Sequence, residues 1–269
     1  MHRLRQQRFG PVQGVQLGYS PLGPPLMSVY VYRLDGLLID TGQRHMQRDV
    51  LAAIGQAPIH HILLTHHHED HSGNAAALAR RTGATVWGHA LCAAKLARGY
   101  RIRPYQHLIW GAAQAVHVRP VDESVACGPY VLTPVETPGH SKDHLVFHEA
   151  NRGWLFSGDL FIGERIKFFR ADEDLNAQIH SLKRVLALDF EALFCAHNPR
   201  PKNGKQHLAG KLDFLETLRA AVRDLHHRGY PAGEIIRRLD PGSDRWVRWL
   251  TLGNASFANM VRSALQSLA

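Results

Sequence analysis

The stretch Thr65-His66-His67-His68-Glu69-Asp70-His71-Ser72-Gly73-Asn74 constrains this chain more than any other. It follows the apolar run Ile62-Leu63-Leu64 and precedes the helix-forming run Ala75-Ala76-Ala77-Leu78-Ala79-Arg80-Arg81, a context that reads as strand, tight loop, helix. His66, His68, Asp70 and His71 crowd into that loop. Neutral imidazoles and a carboxylate are the donors a divalent transition metal prefers. Residues two apart in an extended segment point to the same side. His66 and His68 can therefore face one metal, and Asp70 and His71 a second as the chain turns into the helix. The bland alternative is a histidine-rich loop without a ligand; further candidate ligands downstream argue against it.

The pattern His66-x-His68-x-Asp70-His71 resembles the signature of the metallo-β-lactamase superfamily. Gly36-Leu37-Leu38-Ile39-Asp40-Thr41-Gly42 is similar to the strand and turn that precede it in that family. Thr137-Pro138-Gly139-His140-Ser141 resembles its next histidine motif, Ser157-Gly158-Asp159 its bridging aspartate, and Cys195-Ala196-His197-Asn198 its last histidine. The resemblance runs from about Tyr30 to about Asn198, in the family's order. It implies an α/β chain folded as a four-layer αββα sandwich, two β-sheets face to face with helices outside and metals at the sheet edge.

By the same motif matching, His66, His68 and His140 would hold one metal, Asp70, His71 and His197 the second, and Asp159 would bridge both. The implied cofactor is two divalent ions, zinc first, with iron or manganese open. Such a pair shares a low-pKa hydroxide that attacks carbonyl carbon or phosphorus, and a metal stabilises the developing oxyanion. Asp70 is the catalytic candidate, accepting the hydroxide's proton or orienting it. Antibiotic-cleaving members differ at the Asp159 position, and oxygen-reducing di-iron members carry glutamate at the His68 position, so both chemistries are disfavoured.

Two function classes stay in front. The first is hydrolysis of an activated ester, thioester or lactone of a small, anionic molecule, similar to glyoxalase II. The second is a metal-dependent ribonuclease or phosphodiesterase. Lys and Arg outnumber Asp and Glu by 32 to 23, and that net charge of +9 suits either partner, so nucleic acid stays open. The basic residues are spread along the chain rather than gathered in one stripe.

At 269 residues and 45% hydrophobic content, the chain can bury a sizeable core. The expectation is one domain over 1–269, with a core at about 12–205 and a helical C-terminal extension at 206–269. That extension should pack on the core, because no Pro/Ser-rich linker precedes it. No apolar run is long enough to span a bilayer, and the basic N-terminus lacks a secretion signal's apolar segment, so a cytoplasmic protein with no membrane partner is expected. Cys92, Cys127 and Cys195 are odd in number and widely spaced, which argues against a disulfide framework; Cys195 reads as a buried strand residue.

Apolar patterning predicts antiparallel strands over 12–34 and a strand over 37–40 ending at Asp40. Asp40 is read either as a partner that orients a ligand histidine or as a turn aspartate. A helix over 46–54 closes at Gly55, and a strand over 59–65 delivers the metal loop. A helix over 74–81 stops at Gly83, followed by a strand over 84–87. Strands follow over 116–121, 130–135, 143–148, 153–157 and 192–195, with helices over 91–98 and 174–188 and three more beyond 206. Tyr100, Arg101, Arg103, Tyr105, His107 and Trp110 mark 89–116 as a substrate wall or lid, against plain amphipathic packing. The aromatic loop 161–169 is expected to line the pocket beside the metals.

Overall fold

The computed structural model describes residues 1–54, 58–240, 242–266 and 268. Four strands open the chain, β1 (His2–Phe9), β2 (Val12–Tyr19), β3 (Ser28–Leu34) and β4 (Gly36–Ile39), followed by α1 (Gln47–Ile54) and β5 (Ile59–Leu63). The short α2 (Glu69–Ser72) and α3 (Ala75–Thr82) lead to β6 (Thr85–Gly88), α4 (Ala90–Arg98), α5 (Pro104–Ile109) and β7 (Arg119–Pro120). The second half holds β8 (Val125–Cys127), β9 (Tyr130–Glu136), β10 (Leu145–Glu149), β11 (Trp154–Gly158), β12 (Phe169–Arg170), α6 (Leu175–Leu186) and β13 (Ala192–Cys195). The chain then runs through α7 (Gly204–His227), α8 (Ala232–Leu239), α9 (Arg245–Leu250), β14 (Ala255–Ser256) and α10 (Phe257–Gln266).

β1 to β7 form one sheet in sequential order, antiparallel from β1 to β4 and parallel from β4 to β7. The second sheet runs β13-β11-β10-β9-β8, and β12 pairs with β14 apart from both. Side-chain alternation along each strand sorts the core into layers. On β3, Tyr30, Tyr32 and Leu34 face the space between the sheets, where they meet Phe147, Phe156 and Phe194 of the second sheet. Val29 and Val31 turn the other way, onto the layer of α1, α3 and α4 with Val50, Leu78 and Leu96. On the second sheet, Val146, Leu155 and Leu193 face outward against α6, α7, α8 and α10 through Ile179, Leu208, Leu215, Ile235 and Met260. This is the αββα sandwich expected from the sequence, and the C-terminal helices share an apolar cluster with the second sheet.

Gly83 sits at φ +73 and closes α3 as a left-handed cap. The closing role expected for Gly55 falls outside the described residues. Several local expectations change. The basic N-terminus is β1, an edge strand whose Arg3, Arg5 and Arg8 discourage further strand pairing. The strand expected over 116–121 pairs only at Arg119–Pro120. The short elements β8, α9 and β14 carry too few residues to show a period. Phe161 and Phe169 do not line a pocket: both are fully buried in the cluster shared with the C-terminal helices, because that apolar layer offers more burial than the loop's open side.

Candidate metal centre

The parallel strands β4 and β5 end side by side, and both deliver chain to the same sheet edge. Asp40 follows β4, and Thr65 and the histidine loop follow β5. The second sheet brings His140 from the loop between β9 and β10, Asp159 after β11, and His197 after β13. All the candidate ligands named from the sequence converge here, and His66, His68, Asp70, His71, His140, Asp159 and His197 are at most partly exposed.

They form two adjoining clusters. In the first, His66 Nε2 lies 2.8 Å from His68 Nδ1, and His140 Nε2 lies 3.0 Å from the same atom. In the second, Asp70 Oδ1 is 3.7 Å from His71 Nε2, and Asp70 Oδ2 is 3.6 Å from His197 Nε2. Asp159 stands between them. Its Oδ1 lies 3.3 Å from His71 Nε2 and 3.2 Å from His197 Nε2, while its Oδ2 lies 3.4 Å from His140 Nε2. Each trio His66/His68/His140, His66/His71/Asp159 and Asp70/His71/His197 has ligand atoms within 4.8 Å of one another.

The donor set fits cations. His71 Nε2, His197 Nε2 and Asp159 Oδ1 are buried with no well-aligned hydrogen bond among the described residues, only contacts of 3.2 and 3.3 Å with one another, although buried polar atoms are normally satisfied. Lone pairs turned to a common point are what a metal site requires. The electrostatics agree. Burial pushes the His197 imidazole down, but the Asp159 and Asp70 carboxylates outweigh it and raise the pKa to about 9. His71 is held well above its ordinary value against burial by Asp159, Asp70 and Asp40. Without a metal, this side of the site draws in protons as its positive charge. His66 and His68 are instead held well below the ordinary value, by burial first and then by neighbouring cationic groups, so they stay neutral and keep free lone pairs.

The far ring nitrogens are fixed by the fold, which orients a ligand imidazole and sets its tautomer. His71 Nδ1–H donates to Asp40 Oδ2 at 2.8 Å. Asp40 also accepts from Thr65 N at 2.8 Å and from Thr65 Oγ1 at 2.8 Å, and Thr65 Oγ1 lies 3.0 Å from His66 Nδ1. One carboxylate thus reaches both clusters, so Asp40 fills both roles read from the sequence. It does so at φ +59, a left-handed conformation that Asp tolerates better than most residues. His140 Nδ1 faces Glu173 Oε2 at 3.3 Å, and His197 Nδ1–H donates to the Ser28 carbonyl at 2.8 Å. Gly139 precedes His140 at φ +135, where a Cβ would overlap the backbone of Gln178. Gly158 precedes Asp159 at φ +48, where a Cβ would press on His144 and Thr65 at 2.8 Å. Both ligand-bearing turns require glycine.

Several partners have no sequence signature. Asp143 accepts from His67 N at 3.0 Å and from His67 Nδ1 at 2.8 Å, which ties the metal loop to the second sheet. Glu173 accepts from Arg170 N and from Gln178 Nε2 as well as facing His140. His144 looks like a further ligand by type, yet its Nε2 accepts from Asp159 N at 3.1 Å and its Nδ1 lies 2.7 Å from Thr137 Oγ1. Burial lowers its pKa to about 3, so it is a neutral brace for the Asp159 turn. The 89–116 segment lies against the loop: Tyr100 Oη donates to the His67 carbonyl at 2.6 Å, and Gln106 Nε2 donates to Glu69 Oε2 at 3.0 Å. Cys195 is fully buried, and its Sγ accepts from the backbone N–H groups of His197 and Asn198.

The chain is similar to known proteins. The chain is 31% identical over 176 residues to hydroxyacylglutathione hydrolase of Rhodobacter capsulatus, a match taking in 61% of each protein, so it spans under two thirds of that relative's length. It is 28% identical over 218 residues to the beta-lactamase-like protein 2 homolog of Drosophila melanogaster, covering 74% of this chain and 66% of that one. In three dimensions it resembles a metallo-beta-lactamase family protein from Thermus thermophilus with a TM-score of 0.68 at 21% identity, over 96% of this chain and 94% of that one. A beta-lactamase domain protein from Burkholderia ambifaria superposes with a TM-score of 0.69 at 18% identity, over 98% of this chain and 89% of that one. These structural likenesses establish the fold. Residues 22–197, from the strands ahead of the histidine loop to its last histidine, match the metallo-beta-lactamase superfamily as a whole, and the chain belongs to that superfamily.

Proposed function

We propose that this protein is a hydrolase with a dinuclear divalent-metal centre that cleaves an activated carbonyl compound, a thioester, lactone or related ester, of a small molecule. The observation that carries the reading is the position of Asp159. One carboxylate oxygen faces His71 and His197 at 3.3 and 3.2 Å, and the other faces His140 at 3.4 Å. A carboxylate so divided suits a bridge between two cations.

His66, His68 and His140 would hold one ion and Asp70, His71 and His197 the other, with Asp159 shared. Two bound divalent ions supply a water of lowered pKa and an electrophile for the carbonyl oxygen. The chain's own residues do the rest. Asp40, Thr65, Glu173 and the Ser28 carbonyl hold the imidazoles in one tautomer. Asp70 sits at the second cluster, where it also serves to orient the attacking water or take its proton. In thioester cleavage, water adds to the carbonyl carbon, the C–S bond breaks, and the thiol leaves with a proton. The hydroxyacylglutathione hydrolases among the relatives support a thioester over a phosphodiester.

No helix among the described residues is long and apolar enough to cross a membrane. The test compares one metal-loaded preparation on an acyl thioester, a lactone and single-stranded RNA, each with and without chelator. Chelator-sensitive ester or thioester turnover with intact RNA is the expected result. Chelator-sensitive RNA cleavage without ester turnover would overturn the reading in favour of a nuclease.

A further inference from the structure

A concavity lies where α5 meets α9. It encloses about 310 Å³, with walls that include Arg103, Tyr105, Trp249, Leu250 and Leu252. That is the low end of the roughly 300–1,000 Å³ range of small-molecule sites, room for a single apolar chain. Trp249 is 67% exposed and Leu252 88% exposed. Trp246 stacks on Trp249 with ring centroids 5.1 Å apart, which stiffens the wall. Leu252 is held at φ +51, a conformation β-carbon-bearing residues rarely adopt, so the backbone presents this apolar side chain to the groove at a conformational cost.

Hydrogen bonds tie the groove's lining to the metal centre by two routes. Tyr105 lines the groove, and the next residue, Gln106, donates to Glu69 Oε2 at 3.0 Å, immediately before Asp70. Tyr105 Oη accepts from Asn254 Nδ2 at 2.8 Å, and Asn254 leads into β14, whose Ala255 pairs with Arg170 of β12. Glu173, which faces His140, accepts from the backbone N–H of that same Arg170. Tyr105, one of the groove's lining residues, is thus tied by short hydrogen-bonded routes to both metal clusters, and Arg103 adds a cationic side chain to the lining.

We propose that this groove is the subsite for the apolar acyl chain of a medium-chain acyl thioester or ester, so that the enzyme selects substrates by chain length. The proposal rests on the hydrolase reading above. The test uses the metal-loaded full chain and the acetyl, butanoyl, hexanoyl and octanoyl thioesters of N-acetylcysteamine. kcat/KM should rise by up to about fourfold per buried methylene. Leu252→Asn is the variant of choice, since Asn tolerates positive φ while removing the apolar wall; Trp249→Ala is the second. Each should lower the octanoyl-to-acetyl ratio of kcat/KM at least about tenfold, as several methylenes lose their contacts. A ratio unchanged in both variants overturns the subsite.

Octanoate binding, read by tryptophan fluorescence, separates the two readings. If no thioester of any length is cleaved, the hydrolase reading fails. Octanoate binding that Leu252→Asn weakens at least tenfold would still support the groove. Absent octanoate binding, or binding indifferent to that variant, overturns it. A wild-type dimer that Leu252→Asn dissociates, with an unchanged chain-length ratio, would assign the patch to a second copy of this chain and overturn it as well.

Discussion

Replacing Asp40 by Asn separates hydrogen-bond chemistry from folding at this site. The Asp40 carboxylate accepts from Thr65 N, Thr65 Oγ1 and His71 Nδ1, each at 2.8 Å. Asn has the same shape and tolerates φ +59, so the backbone is not strained. Its amide oxygen, in the place of Oδ1, can keep the bond from Thr65 N at 2.8 Å and the longer one from Thr65 Oγ1 at 3.1 Å, while the shorter Thr65 Oγ1 bond to Oδ2 is lost. Its NH2 group must then face His71 Nδ1, which becomes an acceptor and moves the ring proton to Nε2. That nitrogen is the one 3.3 Å from Asp159 Oδ1, and once protonated it has no lone pair for a metal. Thr65 passes a weaker form of the same effect to His66 Nδ1, 3.0 Å from its hydroxyl. Loss of such an orienting partner lowers metal affinity about 10- to 100-fold, or about 1.4–2.7 kcal/mol. The His71 position should be hit first, because its bond to Asp40 is direct. Competition against a chelator of known affinity, together with metal stoichiometry and a melting curve, measures this. Unchanged affinity at both positions in a folded Asp40→Asn protein would refute the coupling between this carboxylate and the metal centre.

Asp70→Asn should abolish chelator-sensitive hydrolysis while leaving the melting temperature of the metal-free protein close to wild type; full activity in the purified variant would overturn its assignment. Gly139→Ala forces a Cβ into the Gln178 backbone from a positive φ, so it should displace His140 and lower metal content, readable by elemental analysis. Cys195→Ser should change activity little, since its buried thiol only accepts from two backbone N–H groups, and a loss of metal in that variant would contradict this. Lys211 is fully buried, its Nζ donates to the Leu160 carbonyl at 2.7 Å, and burial lowers its pKa from 10.5 to about 8. The penalty for charging it is complete below about pH 8 and vanishes as pH rises to 10.5. Wild type should therefore gain about 3 kcal/mol relative to Lys211→Met across that window, with parallel denaturation curves as the refuting result.

The layered fold was legible because its long strands alternate cleanly. On β3, Val29 and Val31 face one way and Tyr30 and Tyr32 the other, and the sheet buries both sets in different layers. The convergence of His66, His68, Asp70 and His71 was legible for the same reason, since all four share one short loop. Elements of two to six residues, such as β8, α9 and β14, were not, because so few positions show no period. Phe161 and Phe169, at the two ends of their loop, misled through composition: aromatic residues signal burial but not which surface will bury them.

The amino-acid sequence by itself determined the superfamily, the layered architecture and which residues could serve as ligands, because those depend on residue type at short spacing. Only the tertiary structure decided how they are used. Asp40 reaches His71, Glu173 faces His140, and His144 turns away to brace Asp159. The groove of Tyr105, Trp249 and Leu252 likewise joins segments far apart in the chain. Hydrogen bonds and cavities of this kind form between side chains that only packing brings together, so no local pattern records them.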